Sequence, residues 1–498
     1  NAGSGKTHVL VNRVVRLLLD GTVTERVLCL TYTRAAAAEM SRRLYDELAG
    51  WIGLSDTALI ERIHQHTGHV AFKKGDLAAA RQLFARALET PGGLKVQTIH
   101  AFCERLLQRF PVEAGMVPGF EVMDEQVSRE VLGQARAEVF ATARSDATSQ
   151  TAQDLADIVG HTSADRFDEL LGELLKSRDV LAGIVASRQA LDAGLDELRQ
   201  RLGLRPDDDA ERITEEAIAD IDIPAYQRAA SQTCVTKPSR ERIERMLLAA
   251  STAEKFAALQ DIFLTATGAE RAESGLVTKN AAQDFPNIHQ HLLTEQRRIA
   301  RLMERWRAVR VFVATGALLR VGAQIIAAYG ARKRQLGLSD YDDLILRTSE
   351  LLDGQHASLW VLFKLDGGLD HVLIDEAQDT SPQQWSIIAK LTEEFFAGEG
   401  ARADAERTVF AVGDYKQSIF SFQGADPAAF AGMQDYFRSR IADAGSNLTE
   451  VPLQVSFRST PQVLQVVDAV FSQPLANIGL QDVYGGSQEH KARRTGHA

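Results

Sequence analysis

A short apolar run that ends in two acidic residues constrains the fold of this chain more than any other feature. Residues 371–374 are followed at once by Asp375 and Glu376, and such a run predicts a strand buried on both faces, as in a parallel sheet. Acids at the carboxyl end of that strand lie where open α/β sheets bind ligands. In nucleotide hydrolysis, Asp375 would hold Mg²⁺ and Glu376 would orient and deprotonate the attacking water. The alternative is a buried strand that leads into a polar helix cap.

A glycine-rich segment at the start of the chain favours the nucleotide interpretation. Gly3, Ser4 and Gly5 allow successive backbone N–H groups to face one concavity ahead of a predicted helix, where a polyphosphate can bind. Lys6 would reach the β- and γ-phosphates, and the Thr7 hydroxyl would ligate Mg²⁺. The alternative is an ordinary turn that caps a helix. The sequence Gly-Lys-Thr ahead of an apolar helical run disfavours that alternative.

Together the two segments resemble motifs of the superfamily 1 DNA helicases of the UvrD/RecB kind. Residues 375–379 read D-E-A-Q-D and are similar to the D-E-x-Q-D motif of that family, most of all to its AddA branch of helicase–nuclease subunits. The resemblance implies an ATP-dependent helicase motor for double-strand-break repair, with ATP and Mg²⁺ as cofactors. The partners that it implies are single-stranded DNA, double-stranded DNA and an AddB-type subunit. A UvrD-like repair helicase without a nuclease and a non-catalytic ATP-gated DNA clamp stay open as alternatives.

Two further segments resemble motifs with which this family contacts DNA. Residues 26–33 predict a buried strand before an alanine-rich helix, and the resemblance makes Tyr32 a ring that stacks on bases, with Thr33 beside it. Residues 95–102 predict another strand and turn, where the resemblance implies that Thr98 and His100 touch the DNA backbone. From the residues alone, the simpler interpretation is a hydroxyl-rich loop that caps a helix and a structural histidine.

A third segment follows a predicted buried strand at residues 408–414 and is similar to the family motif G-D-x-x-Q-S-I. The resemblance makes Gln417 the link between the nucleotide and the DNA. Phe420 and Phe422 could stack on bases, although phenylalanines more commonly pack into a core. Phe422 and Gln423 replace the Trp and Arg that UvrD-like helicases tend to carry, a departure that fits the AddA branch better.

Residues 453–460 resemble the motif that opens the second RecA-like domain of the family. That resemblance makes Arg458 an arginine finger that reaches the γ-phosphate, and Phe457 a ring that stacks on adenine. Gln378, in the D-E-x-Q-D match, is also assigned to nucleotide binding. Without the other motifs, Arg458 would be interpreted as an exposed arginine at a strand end.

Composition and charge exclude some classes of protein. The 498 residues are 45% hydrophobic and 25% charged, an ordinary composition for a soluble protein. The net charge of −11 disfavours a protein that coats DNA, although a local basic groove can still bind it. Cys29, Cys103 and Cys234 are far apart and odd in number, which favours a reducing cytoplasm over a disulfide framework. No apolar run approaches ~18 residues, so no membrane span is expected.

The predicted fold class is α/β, with a P-loop, RecA-like parallel sheet, a large all-helical insertion and the start of a second RecA-like domain. The expected domains are 1–127 (domain 1A, first part, its first strand missing), 128–335 (helical insertion 1B), 336–445 (domain 1A, second part) and 446–498 (domain 2A, truncated). A P-loop joins a strand to a helix, and no residues precede this loop to form the strand. We therefore expect an N-terminal fragment that is inactive by itself.

Overall fold

The computed structural model describes most of the chain, in two compact units. The described residues are 5–67, 76–185, 187–353, 360–361, 364, 368–396, 406–414, 417–418, 426–453, 455–473 and 490–493. One unit comprises Asn1–Asp124 and Arg334–Ala498, and the other comprises Glu125–Lys333. The contacts assign residues 334–498 to one unit, so the domain boundary expected at 446 stays a prediction, as do those expected at 128 and 336.

The first unit is built on a parallel sheet of short strands. In chain order the strands are β1 (Val27–Thr31), β2 (Lys95–Thr98), β3 (Glu121–Val122), β4 (Leu338–Ser339), β5 (His371–Ile374), β6 (Thr408–Ala411), β7 (Val455–Ser456) and β8 (Lys491–Ala492). Among the described residues the main sheet has the order β2-β1-β5-β6, and each neighbouring pair is parallel. Its register places Cys29 between Val96 and Leu373. β3 pairs with β4, and β7 pairs with β8.

Each of the four predicted strand segments forms a strand of the main sheet, but one of them is not buried. Every residue of β1 and of β5 is buried, as expected. β6 is only partly buried, and its last residue, Ala411, is exposed. The reason is that β6 lies at the end of the sheet, as far as the described residues show, and has a strand neighbour on one side only. The prediction for residues 408–414 is therefore right in position and wrong in burial.

Helices make up most of the remaining structure. In chain order they are α1 (Lys6–Leu19), α2 (Arg34–Gly50), α3 (Asp56–Thr67), α4 (Asp76–Glu89), α5 (Ile99–Arg109), α6 (Glu125–Ser145), α7 (Gln150–Val159), α8 (Ala164–Lys176), α9 (Arg178–Val185), α10 (Arg188–Arg201), α11 (Ala210–Ala219), α12 (Ile223–Ser231), α13 (Lys237–Leu248), α14 (Thr252–Phe263), α15 (Glu273–Leu276), α16 (Ala281–Asp284), α17 (Pro286–Leu336), α18 (Tyr341–Asp353), α19 (Pro382–Leu391), α20 (Pro427–Asp443) and α21 (Pro461–Phe471). Short 3₁₀ turns span Thr24–Arg26, Ala377–Asp379 and Glu393–Phe396.

Helices cover both faces of the main sheet. Successive strand residues face opposite sides, so β1 contributes Leu28 and Leu30 to one core and Val27 and Cys29 to the other. The first core is closed by α5, α18 and α19, and the second by α1, α2, α3 and α4. A parallel sheet needs this cover because both of its faces are apolar. The predicted α/β fold class, with a parallel sheet and a large helical segment, is confirmed.

The second unit is helical, and its longest helix, α17, has 51 residues. The first half of α17 packs into a core that it shares with α11, α12, α13 and α14. Its second half places Ala317, Val321 and Ile325 in another core, with residues of α6, α7 and α8. One long helix therefore supports two successive clusters of shorter helices.

Part of α17 is long and apolar enough to cross a membrane by length and composition, and it is the one such helix in the part of the chain that the structure describes. The sequence-based statement that no apolar run approaches this length is therefore wrong. Several apolar residues of the helix are fully buried in the protein core, and its Arg320 donates to the buried Asp154 at 2.6 Å. These contacts place part of the apolar stretch in the core of the second unit.

Candidate functional site

Gly5 shapes the start of α1. It has φ 82° and ψ 22°, in the left-handed region that glycine adopts at little cost. No side chain caps the helix among the described residues, so its first backbone N–H groups can face an anion. At Gly5, the loop therefore has the features of a phosphate-binding site. Gly3 and Ser4, which are predicted to complete the loop, lie outside the described residues.

The lysine that follows Gly5 meets the second acid at the end of β5. Lys6 is mostly buried, with 9% of its surface exposed, and its Nζ forms an ion pair with Glu376 Oε2. The same Nζ donates to Gln417 Oε1 at 3.4 Å. Lys6 and Glu376 are 370 positions apart in the sequence. The fold thus brings together three residues that were predicted separately for ATP hydrolysis.

Asp375, the first acid, lies beside Thr7. Its Oδ1 accepts a hydrogen bond from the Glu376 N–H at 3.0 Å, and its carboxylate is hydrogen-bonded to the Thr7 side chain. Burial, followed by the charge of Glu376, raises the pKa of Asp375 to about 6. A carboxylate and a hydroxyl are oxygen ligands that suit Mg²⁺, which takes one or two carboxylates and completes its shell with water and substrate phosphates. Among the described residues, no group of three or more His, Cys, Asp or Glu side chains could hold a metal ion, so Mg²⁺ here would need those other ligands.

Glu376 has an unusual backbone conformation. It is the one non-glycine residue with positive φ in the described parts of the chain, at φ 50° and ψ 49°. An L-residue adopts this conformation at a cost of roughly 1–2 kcal/mol, and such strain is often found at active sites. The turn is tied to the end of β6, since the Ala377 N–H donates to the Val412 carbonyl at 3.0 Å. The surrounding backbone therefore fixes the direction in which the Glu376 side chain leaves the strand.

Gln378 is buried, and both ends of its amide contact the protein. Its Nε2 donates to Glu376 Oε2 at 2.9 Å and to Asp379 Oδ2 at 3.2 Å. Its Oε1 accepts from the Asp414 N–H at 2.8 Å. The predicted contact between Gln378 and the nucleotide stays a prediction, because every contact described for its amide is internal to the protein.

Gln417 lies between Lys6 and Asp414. Its Nε2 donates to Asp414 Oδ2 at 2.6 Å while its Oε1 faces Lys6. The amide is therefore placed to respond to a phosphate that Lys6 binds. Phe420 and Phe422, which are predicted to extend this segment towards DNA, lie outside the described residues.

Phe457 lies against the glycine at the start of α1. A Cβ built on Gly5 would be 3.5 Å from the Phe457 ring, which keeps 49% of its surface exposed. The Arg493 guanidinium lies 5.5 Å from the centre of the same ring. Arg458 is the next residue, and it is exposed. The structure thus places the predicted adenine ring beside the predicted phosphate loop, with the predicted arginine finger adjacent in sequence.

Two of the predicted DNA contacts act as helix caps. The Thr33 hydroxyl accepts the Ala36 N–H at 3.1 Å at the start of α2, and the Thr98 hydroxyl accepts the Ala101 N–H at 3.2 Å at the start of α5. Threonine is a favoured capping residue. The simpler interpretation of Thr33 as a helix cap is therefore confirmed, whereas the cap made by Thr98 was not predicted. The contact of both hydroxyls with DNA stays a prediction.

Two more of the predicted DNA contacts, His100 and Tyr32, are rings that are partly buried. His100 packs edge-on against Tyr341, with ring centres 5.6 Å apart. Burial, followed by the charge of Arg34, lowers the pKa of His100. Tyr32 is partly exposed, and burial, followed by the charge of Asp379, raises the pKa of its phenol. Tyr32 therefore keeps an accessible side, as a stacking ring requires, and His100 has a structural partner.

Sequence reasoning missed two residues of this region. Asp414 contacts both Gln378 and Gln417, and Tyr341 contacts both His100 and Arg34. Asp414 carries a usable signal, because an acid at the end of a predicted strand and three residues before Gln417 can bond back to that glutamine. Tyr341 carries none, because nothing in the sequence indicates that it lies near residue 100.

Comparisons with known proteins agree with this arrangement. The sequence matches the UvrD/REP helicase N-terminal domain over residues 1–438. An ATP-dependent helicase/nuclease subunit from Levilactobacillus brevis is 26% identical over 98% of this chain and 38% of its own length. The protein of the same name from Enterococcus faecalis is 26% identical over 95% of this chain and 37% of its own length. The one from Latilactobacillus sakei is 23% identical over 97% of this chain and 54% of its own length.

The chain therefore spans about 37% to 54% of the length of these relatives. The predicted resemblance to UvrD/RecB-like helicases, and to the AddA branch among them, is confirmed. Since the family match extends over residues 1–438, far more than half of the sequence, the chain belongs to the UvrD/REP helicase family.

Proposed function

We propose that the protein is the ATP-dependent DNA helicase motor of an AddA-type helicase–nuclease, acting in double-strand-break repair and recombination. The observation that carries the proposal is the meeting of Lys6, Glu376 and Gln417. Phosphoryl transfer depends almost wholly on placement and charge. A buried lysine next to a carboxylate and an amide provides both for ATP hydrolysis. The names of the relatives support the helicase and nuclease assignments.

In the proposed mechanism, Lys6 exchanges its partner when ATP binds. Its ammonium leaves Glu376 for the β- and γ-phosphates, and the freed Glu376 carboxylate accepts a proton from the attacking water. Thr7 and Asp375 would hold Mg²⁺, which when bound neutralises charge on the phosphates. Arg458 would stabilise the charge that develops on the transferred phosphoryl group. In this mechanism, the ion pair between Lys6 and Glu376 must open before hydrolysis.

Single-stranded and double-stranded DNA are the proposed macromolecular ligands. The proposed contacts are Tyr32, Thr33, Thr98, His100, Phe420 and Phe422. Support comes from topology: β1, β2 and β5 are adjacent and parallel, and Thr31 pairs with Thr98 in the register. The carboxyl ends of parallel strands meet at one edge of a sheet. The proposed DNA contacts after β1 and β2 therefore share an edge with the acids after β5.

A cytoplasmic location and an AddB-type partner subunit complete the proposal. The partner follows from the relatives, whose names describe each of them as one subunit of a helicase/nuclease. The location is supported by Cys29, Cys103 and Cys234, which are buried and form no disulfide. Such free thiols suit a reducing compartment.

Phosphate release and strand separation by the full-length protein test the proposal. We expect ATP hydrolysis to be stimulated by single-stranded DNA and to accompany unwinding of a tailed duplex. Lys6→Ala should lose ATP binding and both activities. ATP-dependent DNA binding without turnover would instead support the clamp. Unwinding in a protein that shows no DNA degradation would support a UvrD-like helicase without a nuclease.

Gln417→Ala should uncouple hydrolysis from unwinding. The amide touches Lys6 on one side and Asp414 on the other, so its loss should break the link to the DNA-binding segment more than it weakens ATP binding. We expect the number of base pairs opened per ATP to fall at least about tenfold, which equals 1.4 kcal/mol of coupling. The measurement compares both rates on one preparation, with the exposed Gln200→Ala as a control. An equal fall in hydrolysis and unwinding would contradict the prediction.

The affinity for Mg²⁺–ATP should depend on the titration of Asp375. Its pKa of about 6 means that the carboxyl gains a proton as the pH falls through 6, and a protonated carboxyl does not ligate Mg²⁺. We expect affinity to fall about tenfold for each pH unit below that pKa. Titrations with a fluorescent nucleotide between pH 5 and pH 8 measure this fall. The dependence that remains in Asp375→Asn reports the titration of the nucleotide, and identical pH profiles in the two proteins would contradict the prediction.

The titration of Asp375 also affects the stability of the folded protein, and here low pH is favourable. The pKa of Asp375 is raised from 3.8 to about 6 on folding, so the folded state binds the proton more tightly than the unfolded chain. The stabilisation from Asp375 is therefore fully present below about pH 4 and is lost as the pH rises through 6. Near neutral pH, the ionised Asp375 opposes folding until a cation is bound.

A further inference from the structure

Gln378 connects the ends of two neighbouring strands through one amide. It follows β5 in the 3₁₀ turn Ala377–Asp379, and its Oε1 accepts the N–H of Asp414, which follows β6. Its Nε2 donates to Glu376 and to Asp379 on its own turn. Only 1% of Gln378 is exposed. A single side chain therefore joins the proposed base, the next acid and the segment that leads to Gln417.

The partners of the amide fix its orientation. Carboxylate oxygens only accept hydrogen bonds when ionised, and a backbone N–H only donates. The two carboxylates must therefore face Nε2, and the N–H of Asp414 must face Oε1. A flipped amide would place an oxygen against two carboxylates and an NH₂ group against a donor. This site consequently selects an amide, and neither a carboxylate nor an apolar side chain reproduces its bonds.

Gln378 is buried, and the backbone at residue 413 approaches its amide closely. A Cβ added to Gly413 would lie 3.0 Å from Gln378 Oε1 and 2.9 Å from the Phe430 ring. The backbone at residue 413 thus lies directly against the amide oxygen, with no room for a side chain between them. The hydrogen bonds of Gln378 and this close packing together fix the position of its amide. Its described bonds favour a role through its neighbours over direct contact with the nucleotide.

The carboxylate of Glu376 depends on Gln378 once ATP is bound. Among the described residues, the side chains that donate to Glu376 Oε2 are Lys6 and Gln378. In the proposed mechanism Lys6 leaves for the phosphates. Gln378 then remains as the side chain that orients the base, at the stage when the position of the base determines the rate.

The second carboxylate bound by Gln378 leads towards the proposed DNA-binding side. Asp379 is 5% exposed, is hydrogen-bonded to Ser418 and has no described partner for its Oδ1. Its charge reaches the phenol of Tyr32, so it lies near the proposed stacking ring. Ser418 directly follows Gln417. Gln378 therefore stands between the base that acts on ATP and two elements proposed to sense DNA.

We propose that Gln378 is a positioning residue that sets the orientation of the Glu376 carboxylate. Through Asp379 and Gln417, it makes the orientation of that carboxylate sensitive to bound DNA. This inference rests on the proposed helicase function, and it adds Gln378 as a residue that acts through Glu376. Its loss lowers the rate of hydrolysis and the stimulation by DNA while ATP binding is kept. A nucleotide ligand would behave differently, because its loss would raise KM for ATP.

The test is a double-mutant cycle in the full-length protein. We expect Gln378→Leu to lower kcat about 10–100-fold, as loss of a partner that orients a functional side chain does elsewhere, with KM for ATP within about twofold of the wild type. In the Glu376→Gln background, where no carboxylate remains to be oriented, Gln378→Leu should cause no further loss. Gln378→Asn, which keeps the amide but is one methylene shorter, should resemble Gln378→Leu. The exposed Gln200→Leu serves as the matched control.

Three outcomes would overturn the inference. They are equal losses from Gln378→Leu in both backgrounds, a rise in KM with kcat unchanged, and full DNA stimulation in Gln378→Leu. If Gln378→Leu does not fold, Gln378→Asn enters the same cycle and gives the same comparison. Absence of DNA-stimulated hydrolysis in the wild type would refute the proposed function itself. An active wild type with an additive cycle would refute only the role of Gln378.

Discussion

Replacing Glu376 with glutamine will remove most ATP turnover and leave ATP and DNA bound. The amide keeps the shape of the side chain but cannot accept the proton of the attacking water, and loss of a general base costs about 10²–10⁴-fold in rate. Lys6 also loses its ion-pair partner in this variant. ATP therefore no longer competes with Glu376 for the ammonium, and ATP affinity should be unchanged or higher.

Steady-state phosphate release with saturating single-stranded DNA, together with nucleotide titrations, measures both effects. Glu61→Gln, an exposed residue on α3, makes the same chemical change away from the site and should behave as the wild type. Near-normal DNA-stimulated hydrolysis in Glu376→Gln would remove Glu376 from the mechanism. A large loss of ATP binding would show that the carboxylate serves nucleotide affinity instead.

Replacing Arg458 with alanine should lower DNA-stimulated hydrolysis further still, by about 10³–10⁵-fold, the range found for arginine fingers in other nucleotidases. The neighbouring Phe457 lies against Gly5, so the backbone carries Arg458 close to the proposed phosphate loop. Arg458 is an exposed residue, and substitution of an exposed residue usually changes stability little.

Arg458→Lys separates charge from geometry. Lysine keeps the charge but lacks the planar fork of the guanidinium, so we expect only partial recovery of kcat. Arg188→Ala, an exposed arginine in the second unit, is the control for general loss of positive charge. Thermal melting of each variant shows whether the fold is kept. Turnover within threefold of the wild type in Arg458→Ala would exclude it as a finger.

The sequence predicts the positions of the main-sheet strands well because these strands are short apolar runs with clear ends in the sequence. The run before Asp375 can form little except a buried strand, and it forms β5. The sequence does not reveal that β6 lies at the end of the described sheet, because burial of a strand depends on which strand lies beside it. The apolar part of α17 was missed for a related reason, since Arg320 interrupts it in the sequence, and its pairing with the buried Asp154 is a contact that no local pattern contains.

The sequence predicts which residues form the candidate site, but not all of the hydrogen bonds between them. Lys6, Asp375 and Glu376 each stand at a strand or helix end with a side chain suited to its role, and their meeting follows from the parallel sheet. The internal bonds of Gln378 could not be predicted from a D-E-x-Q-D pattern. They depend on how closely the backbone at Gly413 approaches the turn, a distance that no local pattern contains.

The left-handed backbone of Glu376 sets two opposing contributions to thermal stability against each other. Glycine would adopt φ 50° without the strain of roughly 1–2 kcal/mol that a side chain brings there. Glycine would also give the unfolded chain more conformational freedom and leave the buried Lys6 without its ion-pair partner, and an unpaired buried charge costs more than that strain. A laboratory selection for heat resistance alone would therefore keep the carboxylate in spite of its backbone strain. Heat resistance and turnover thus favour the same residue at position 376.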